Sequence, residues 1–258
     1  MRRPFLTAAS IGATALVGSC FVNVPDVDTS AETWCETRTP SPLLCADFDR
    51  GSFSSGWSEV REDGGGQNSA DSTVYQSAPT SYLARTPSLT AGIAHARLCN
   101  RFASFPSEMH LALAVRALPP EGSSEAVVAS ARLVRSDDAA YYVDVRAGAT
   151  QWRAVQTWQT DVGEVVEGET ILAPSPVAGA WTRLSLDVLL VPDGSNSAGS
   201  FQVSFDGVNA MGAKAFSLEA TSGLAEICTG VVYAAAPNGE WSVYTDDVTF
   251  DMVVPPSS

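Results

Sequence analysis

The strongest constraint on this 258-residue chain is a period of two in its apolar residues. "MHLALAVRA" places Met109, Leu111, Leu113 and Val115 on one side of an extended strand. "AYYVDVRAG" groups Tyr141, Val143 and Val145 against Tyr142, Asp144 and Arg146, and "WTRLSLDVLLV" gathers Leu184, Leu186, Val188 and Leu190. "SFQVSFDG" gathers Phe201, Val203 and Phe205 and ends on Asp206-Gly207, a hairpin-turn dipeptide. "ICTGVVYAA" and "WSVYTDDVTFDMVV" carry the same character to the C-terminal end. Successive side chains of a strand point to opposite faces, so this spacing buries one face and leaves the other to solvent. No convincing helical period longer than two turns interrupts it, and "DGGGQNSADS", "LPPEGSSE" and "PDGSNSAGS" read as loops. So many half-buried strands predict an all-β fold, a two-layer antiparallel β-sandwich or jelly roll. A hydrophobic fraction of 45% supplies the core that such a sandwich needs.

The N-terminus is of a different kind. "MRRPFLTAASIGATALVGSC" runs from two arginines through a short apolar stretch to small residues, the layout of a secretory signal peptide too short to span a bilayer. Its end, Val17-Gly18-Ser19-Cys20, resembles the bacterial lipobox. The resemblance implies that Cys20 takes a thioether-linked lipid and becomes the mature N-terminus. The expected organisation is a signal peptide over 1–19, an acidic, proline-containing tether over 20–34, and a single sandwich domain over 35–258. Four cysteines then remain, Cys35, Cys45, Cys99 and Cys228, an even set that predicts disulfides in an exported chain. Three connectivities are open. Cys35–Cys45 with Cys99–Cys228 is preferred because the first pair flanks the turn "TRTPSPLL".

The expected location is therefore a membrane reached through a lipid anchor. Phe21, rather than an aspartate, follows Cys20, which favours the outer membrane or cell surface over the inner membrane. A net charge of −14 repels phosphate backbones and argues against a nucleic-acid partner.

A longer pattern resembles the concanavalin A-like lectin/glucanase domains. "AWTRLSLDVLLVPDGSNSAGSFQVSFDG" is similar to their W-x-x-L-x-[LV]-x-[LV] hairpin, and "YYVDVRAGATQWRAVQTW" to the strand pair before it. "CADFD" with the following Gly-Trp is similar to their opening strand, and "YTDDVTFD" to their last. The resemblance implies a jelly roll over most of residues 45–254, with first and last strands paired. Asp246 shares a strand face with Tyr244, Val248, Phe250 and Met252, so its carboxylate needs backbone donors, an arginine or a cation. Related carbohydrate-active jelly rolls hold a structural calcium between those strands, which carries over by position to Asp49 and Asp246, near Asp47.

Catalytic signatures are missing. Glucanases of this fold use an E-x-D-x-E run, which is absent, and Glu164, Glu167 and Glu169 are irregularly spaced. Lyases of this fold would need a His/Tyr/Arg/Gln cluster, and no motif surrounds either histidine, His95 or His110. Trp152, Gln156 and Trp158 share parity in "QWRAVQTW", beside Tyr142 on the neighbouring strand. On an open sheet that row would stack and hydrogen-bond a sugar chain; turned inward it is core. The sequence thus predicts a non-catalytic exported lipoprotein that binds carbohydrate through a concave sheet at Tyr142, Trp152, Gln156 and Trp158. The alternatives are a structural lipoprotein that docks an envelope protein and, as the minor reading, a glycan hydrolase or lyase.

Overall fold

The computed structural model describes residues 32–122, 124–134, 140–160, 163–190, 199–211, 214–216 and 224–255. The expected signal peptide, the lipidation site Cys20 and the tether as far as residue 31 lie outside the described residues.

After a 3₁₀ turn at Cys35–Thr37 the described chain is built of strands. The first eight are β1 (Leu44–Ala46), β2 (Glu59–Asp63), β3 (Gln67–Asp71), β4 (Ser81–Thr86), β5 (Ile93–Phe102), β6 (Glu108–Leu118), β7 (Ala126–Val134) and β8 (Ala140–Ala147). The rest are β9 (Trp152–Thr160), β10 (Gly163–Leu172), β11 (Thr182–Leu189), β12 (Gly199–Phe205), β13 (Val208–Asn209), β14 (Lys214–Phe216), β15 (Leu224–Ala235) and β16 (Trp241–Val253). One sheet runs β13-β12-β11-β6-β16-β4-β3, with β1 on β16 and β14 on β12. The other runs β10-β9-β8-β7-β15-β5-β2. Every pairing is antiparallel, and β1 lies beside β16, so first and last strands pair as the resemblance implied. The fold is the two-sheet jelly-roll sandwich that the period-two pattern predicts.

Alternation decides what enters the core. Along β11, Thr182, Leu184, Leu186 and Val188 are buried while the residues between them are more open, and β12 buries Phe201, Val203 and Phe205 in the same way. These side chains meet Met109, Leu111, Leu113 and Val115 of β6 and Tyr141, Val143 and Val145 of β8 in one cluster between the sheets. The outer face of the seven-stranded sheet carries a second, smaller cluster of Cys99, Val127, Cys228 and Val232, with Tyr233 packed on it. Burial on an outer face marks a hollow in that surface.

Two devices shape the hollow. Cys99–Cys228 joins directly opposed residues of β5 and β15, and Cys35–Cys45 closes the loop before β1, so both expected disulfides are present. They fit a protein exported to an oxidising compartment. β15 also carries a bulge, with register breaking between Thr229 and Tyr233 against β7 and between Val231 and Ala234 against β5. Val231 and Ala234 stay in the main core, whereas the consecutive residues Val232 and Tyr233 both face outward. An extra residue in one strand re-aims side chains in this manner. Gly230, at φ +99°, sits where a Cβ would lie 2.6 Å from the Ala96 carbonyl oxygen, so only glycine fits at the approach to the bulge. Among the described residues no helix is long and apolar enough to cross a membrane.

Candidate functional site

The hollow is a cleft of about 470 Å³ on the outer face of the seven-stranded sheet. It is lined by residues from six of the seven strands: Arg61 from β2, His95 and Arg97 from β5, Arg132 from β7, Tyr142, Asp144 and Arg146 from β8, Gln159 from β9 and Tyr233 from β15. All but Tyr233, which the β15 bulge turns outward, are outward members of alternating strands. On β5, Ala94, Ala96 and Leu98 enter the core, so His95 and Arg97 point the other way. Four arginines face one aspartate in this lining, on a chain whose net charge is −14. Each of the four is also paired with a carboxylate, Arg61 with Asp63, Arg97 with Glu59, Arg132 with Glu226 and Arg146 with Asp144, so the lining offers guanidinium donors held in place by acids.

Hydrogen bonds fix the cationic groups from behind. Ser130 Oγ donates to Asp144 Oδ1 at 2.6 Å and accepts from Arg132 Nε at 3.1 Å. Arg132 Nη1 also donates to Glu226 Oε1 at 3.3 Å, and the other oxygen of Glu226 accepts from Arg101 at 2.6 and 3.0 Å. Arg97 donates to Glu59 at 2.9 Å. The Nε atoms of Arg97 and Arg146 are buried with no partner among the described residues, leaving donors at the cleft wall unsatisfied. Burial holds the Asp144 carboxyl above the usual carboxylate range, against the opposing pull of Arg132, Ser130 and Arg146.

His95 and Tyr233 are neighbours, with rings edge to face and centroids 6.0 Å apart. His95 Nδ1 lies 2.6 Å from the Val232 carbonyl oxygen. A carbonyl only accepts, so Nδ1 carries the proton and the neutral ring presents Nε2 as a base. Burial lowers the His95 pKa below 6.5, and the arginines Arg97 and Arg61 lower it further, against the Val232 bond. The imidazole is therefore neutral at pH 7. Tyr142 donates its hydroxyl to Gln159 Oε1, and the Arg132 guanidinium stands 4.8 Å from the Tyr142 ring centroid.

The aromatic row expected at Tyr142, Trp152, Gln156 and Trp158 does not form as one surface. Tyr142 faces the cleft, but Trp152 is 3% exposed in the main core, edge-on to Phe205 of the opposite sheet at 5.4 Å. Gln156 is buried and donates to the Tyr141 hydroxyl, and Trp158 packs against Tyr141 on the core side. Register is the reason: Tyr142 lies opposite Thr157, while Tyr141 lies opposite Trp158.

Asp49 and Asp246 sit at the other sheet. Asp246 is fully buried; its Oδ2 accepts from the backbone N–H groups of Gln76 and Ser77 at 2.9 and 3.0 Å, and its Oδ1 from that of Asp247 at 2.9 Å. Asp49 accepts from the Thr80 N–H. Among the described residues the one close set of potential ligands is Cys99, Glu226 and Cys228, whose sulfurs are bonded to each other. The three N–H groups compensate the buried Asp246 carboxyl within the fold.

Burial raises the Asp246 pKa to about 7 and that of Asp49 to about 6. The folded chain then keeps a proton on Asp246 that the unfolded chain releases above pH 3.8. This contribution to stability is complete below that value and is lost as pH rises towards 7. Melting temperatures measured from pH 4 to 7 are expected to fall less in Asp246→Asn than in the wild type; parallel declines would remove Asp246 as the cause.

No protein-family model matches the sequence, and no curated protein matches it. Solved structures do share the fold. An endo-β-1,4-glucuronan lyase from the fungus Trichoderma reesei superposes with a TM-score of 0.64 at 18% identity, covering 84% of this chain and all of the lyase. A cellulose-induced protein, Cip1, gives 0.54 at 13% identity over 83% of this chain and all of its own. An engineered GH43 glycoside hydrolase gives 0.50 at 17% identity, over 84% of this chain and 42% of its own. These are likenesses of fold. They correct the expectation of a non-catalytic module: a polysaccharide lyase and a glycoside hydrolase share the architecture, so a missing linear motif is no argument against catalysis on it. The cluster sought in vain around His95 is assembled from separate strands instead.

Proposed function

We propose that this protein is an exported enzyme that cleaves a uronate polysaccharide by β-elimination in the cleft of the seven-stranded sheet. The observation that carries the reading is the convergence of His95, Tyr142, Tyr233, Gln159 and four arginines on one cavity. A uronate carries its carboxylate on C5. Arginine forks bind such a group bidentately and stabilise the charge that develops on it when the C5 proton leaves. Arg132, Arg97 and Arg146 are placed for this role. His95 Nε2 takes the C5 proton; the freed electron pair forms the C4=C5 double bond and expels O4, which takes the Tyr233 hydroxyl proton. Tyr142 and Gln159 bind the neighbouring sugar. Hydrolysis with two carboxyl groups is disfavoured because Asp144 is the one acid lining the cleft among the described residues.

The reading also takes the chain as a concanavalin A-like jelly roll held at a membrane through Cys20. The motif around Cys20 supports that anchor, as does the pairing of the other four cysteines with one another.

The test incubates the protein separately with polymers of glucuronate, of galacturonate, and of mannuronate with guluronate. Ultraviolet absorbance of the unsaturated product is followed, with xylan as the neutral control. Absorbance should rise with at least one uronate polymer and not with xylan. New reducing ends without unsaturation, or no cleavage of any uronate polymer, would overturn the elimination.

A further inference from the structure

The base and the acid of the elimination stand on adjacent strands, His95 on β5 and Tyr233 on β15, with rings edge to face and centroids 6.0 Å apart. Tyr142, the other tyrosine of the cleft, lies three strands from His95, about 14 Å at the usual strand spacing. Of the two tyrosines, Tyr233 alone can act with His95 across a single C4–C5 bond. By register Val127 of β7 lies between Tyr233 and Arg146 of β8, and Arg97 follows His95 on the same face of β5. The two guanidiniums therefore flank the base and the acid.

All these groups rise from one floor. Every residue that lines the cleft, among those described, belongs to a strand of the seven-stranded sheet. A sugar ring bound there meets its base and its acid from the same side. Elimination takes the C5 proton and O4 either from one face of the ring (syn) or from opposite faces (anti). In glucuronate and mannuronate the two lie on the same face; in galacturonate and guluronate they lie on opposite faces. When the C5 proton of galacturonate points at His95, its O4 points away from Tyr233 and leaves without an acid.

From this geometry we infer that the cleft performs syn elimination and takes polymers of glucuronate or mannuronate, while it rejects polymers of galacturonate and guluronate. The inference rests on the proposed function and names the substrate class of the same site. The protons balance as before: C5 gives one to His95 Nε2, the electron pair left behind forms C4=C5, and the departing O4 takes one from Tyr233.

The test compares the full chain on polyglucuronate, polymannuronate, polygalacturonate and polyguluronate at equal uronate concentration. C4 and C5 become trigonal in the product, so glucuronate and galacturonate yield the same unsaturated unit, as do mannuronate and guluronate, and absorbances compare directly. On at least one of the first two polymers kcat/KM should exceed that on either of the last two by about 10²-fold or more, the least that a positioned acid contributes. Tyr233→Phe should lower kcat on the preferred polymer by about 10²–10⁴-fold, with KM changed little. A smaller preference, the reverse order, or wild-type kcat in Tyr233→Phe would overturn the syn geometry and leave elimination standing. No unsaturated product from any of the four would overturn the elimination itself, and this inference with it.

Discussion

Replacing His95 with glutamine is expected to lower kcat for uronate cleavage by about 10²–10⁴-fold, the range that a positioned general base contributes. The effect should fall on kcat more than on KM, because the arginines that bind the carboxylate remain. The side chain is partly buried at the cleft wall and contributes little to the main core, so the variant should fold. The pH profile supplies a second reading. The base is active when neutral, and its pKa lies below 6.5 because of burial and the arginines around it. Activity should therefore climb with pH on an acidic limb below 6.5 and be near its plateau at neutrality. A glutamine variant that retains wild-type kcat and the same acidic limb would remove His95 as the base and leave the arginine cleft without its proposed chemistry.

The second large effect is on stability. Trp152→Ala should cost about 3–5 kcal/mol, the usual loss for truncating a large buried aromatic. A domain of this kind has about 5–15 kcal/mol in total, so the loss takes from about a fifth to all of its margin. Trp152 belongs to β9 of one sheet and meets Phe205 of β12 in the other, so its removal opens a cavity at the contact between the layers. The urea midpoint should drop with the slope of the transition unchanged. Binding of uronate by the surviving folded fraction should be intact, since the side chain does not reach the cleft. A variant that melts like the wild type but loses ligand would restore Trp152 to a binding surface and refute its place in the core.

The contrast between these two residues shows how far the sequence could be read. Parity correctly put Trp152, Gln156 and Trp158 on one face of their strand, but it does not say which face is inside. A one-residue change of register exchanges the two faces, and the pairing of Tyr141 with Trp158 put the row inward. The cleft did leave a signal. "IAHARLCNRF" alternates small or apolar residues with His95, Arg97, Cys99 and Arg101, and "YYVDVRAG" sets Tyr142, Asp144 and Arg146 two apart. Such residues also suit a solvated face, and on a single strand the two cases look the same. They differ only when the strands are side by side. Then four arginines, a histidine and Tyr142 fall on one surface, and the bulge in β15 adds Tyr233 beside His95.

The sequence by itself determined the all-β sandwich and its core-facing rows, because alternation is a property of each strand alone. It also predicted both disulfides, through the count of cysteines and the turn between the first pair. Only the tertiary structure decided which aromatic row is core, how Asp246 is compensated by the N–H groups of Gln76, Ser77 and Asp247, and where the arginine-lined cleft lies. Those outcomes depend on the register between strands and on a bulge. They bring together residues from Arg61 to Tyr233 that no local pattern links.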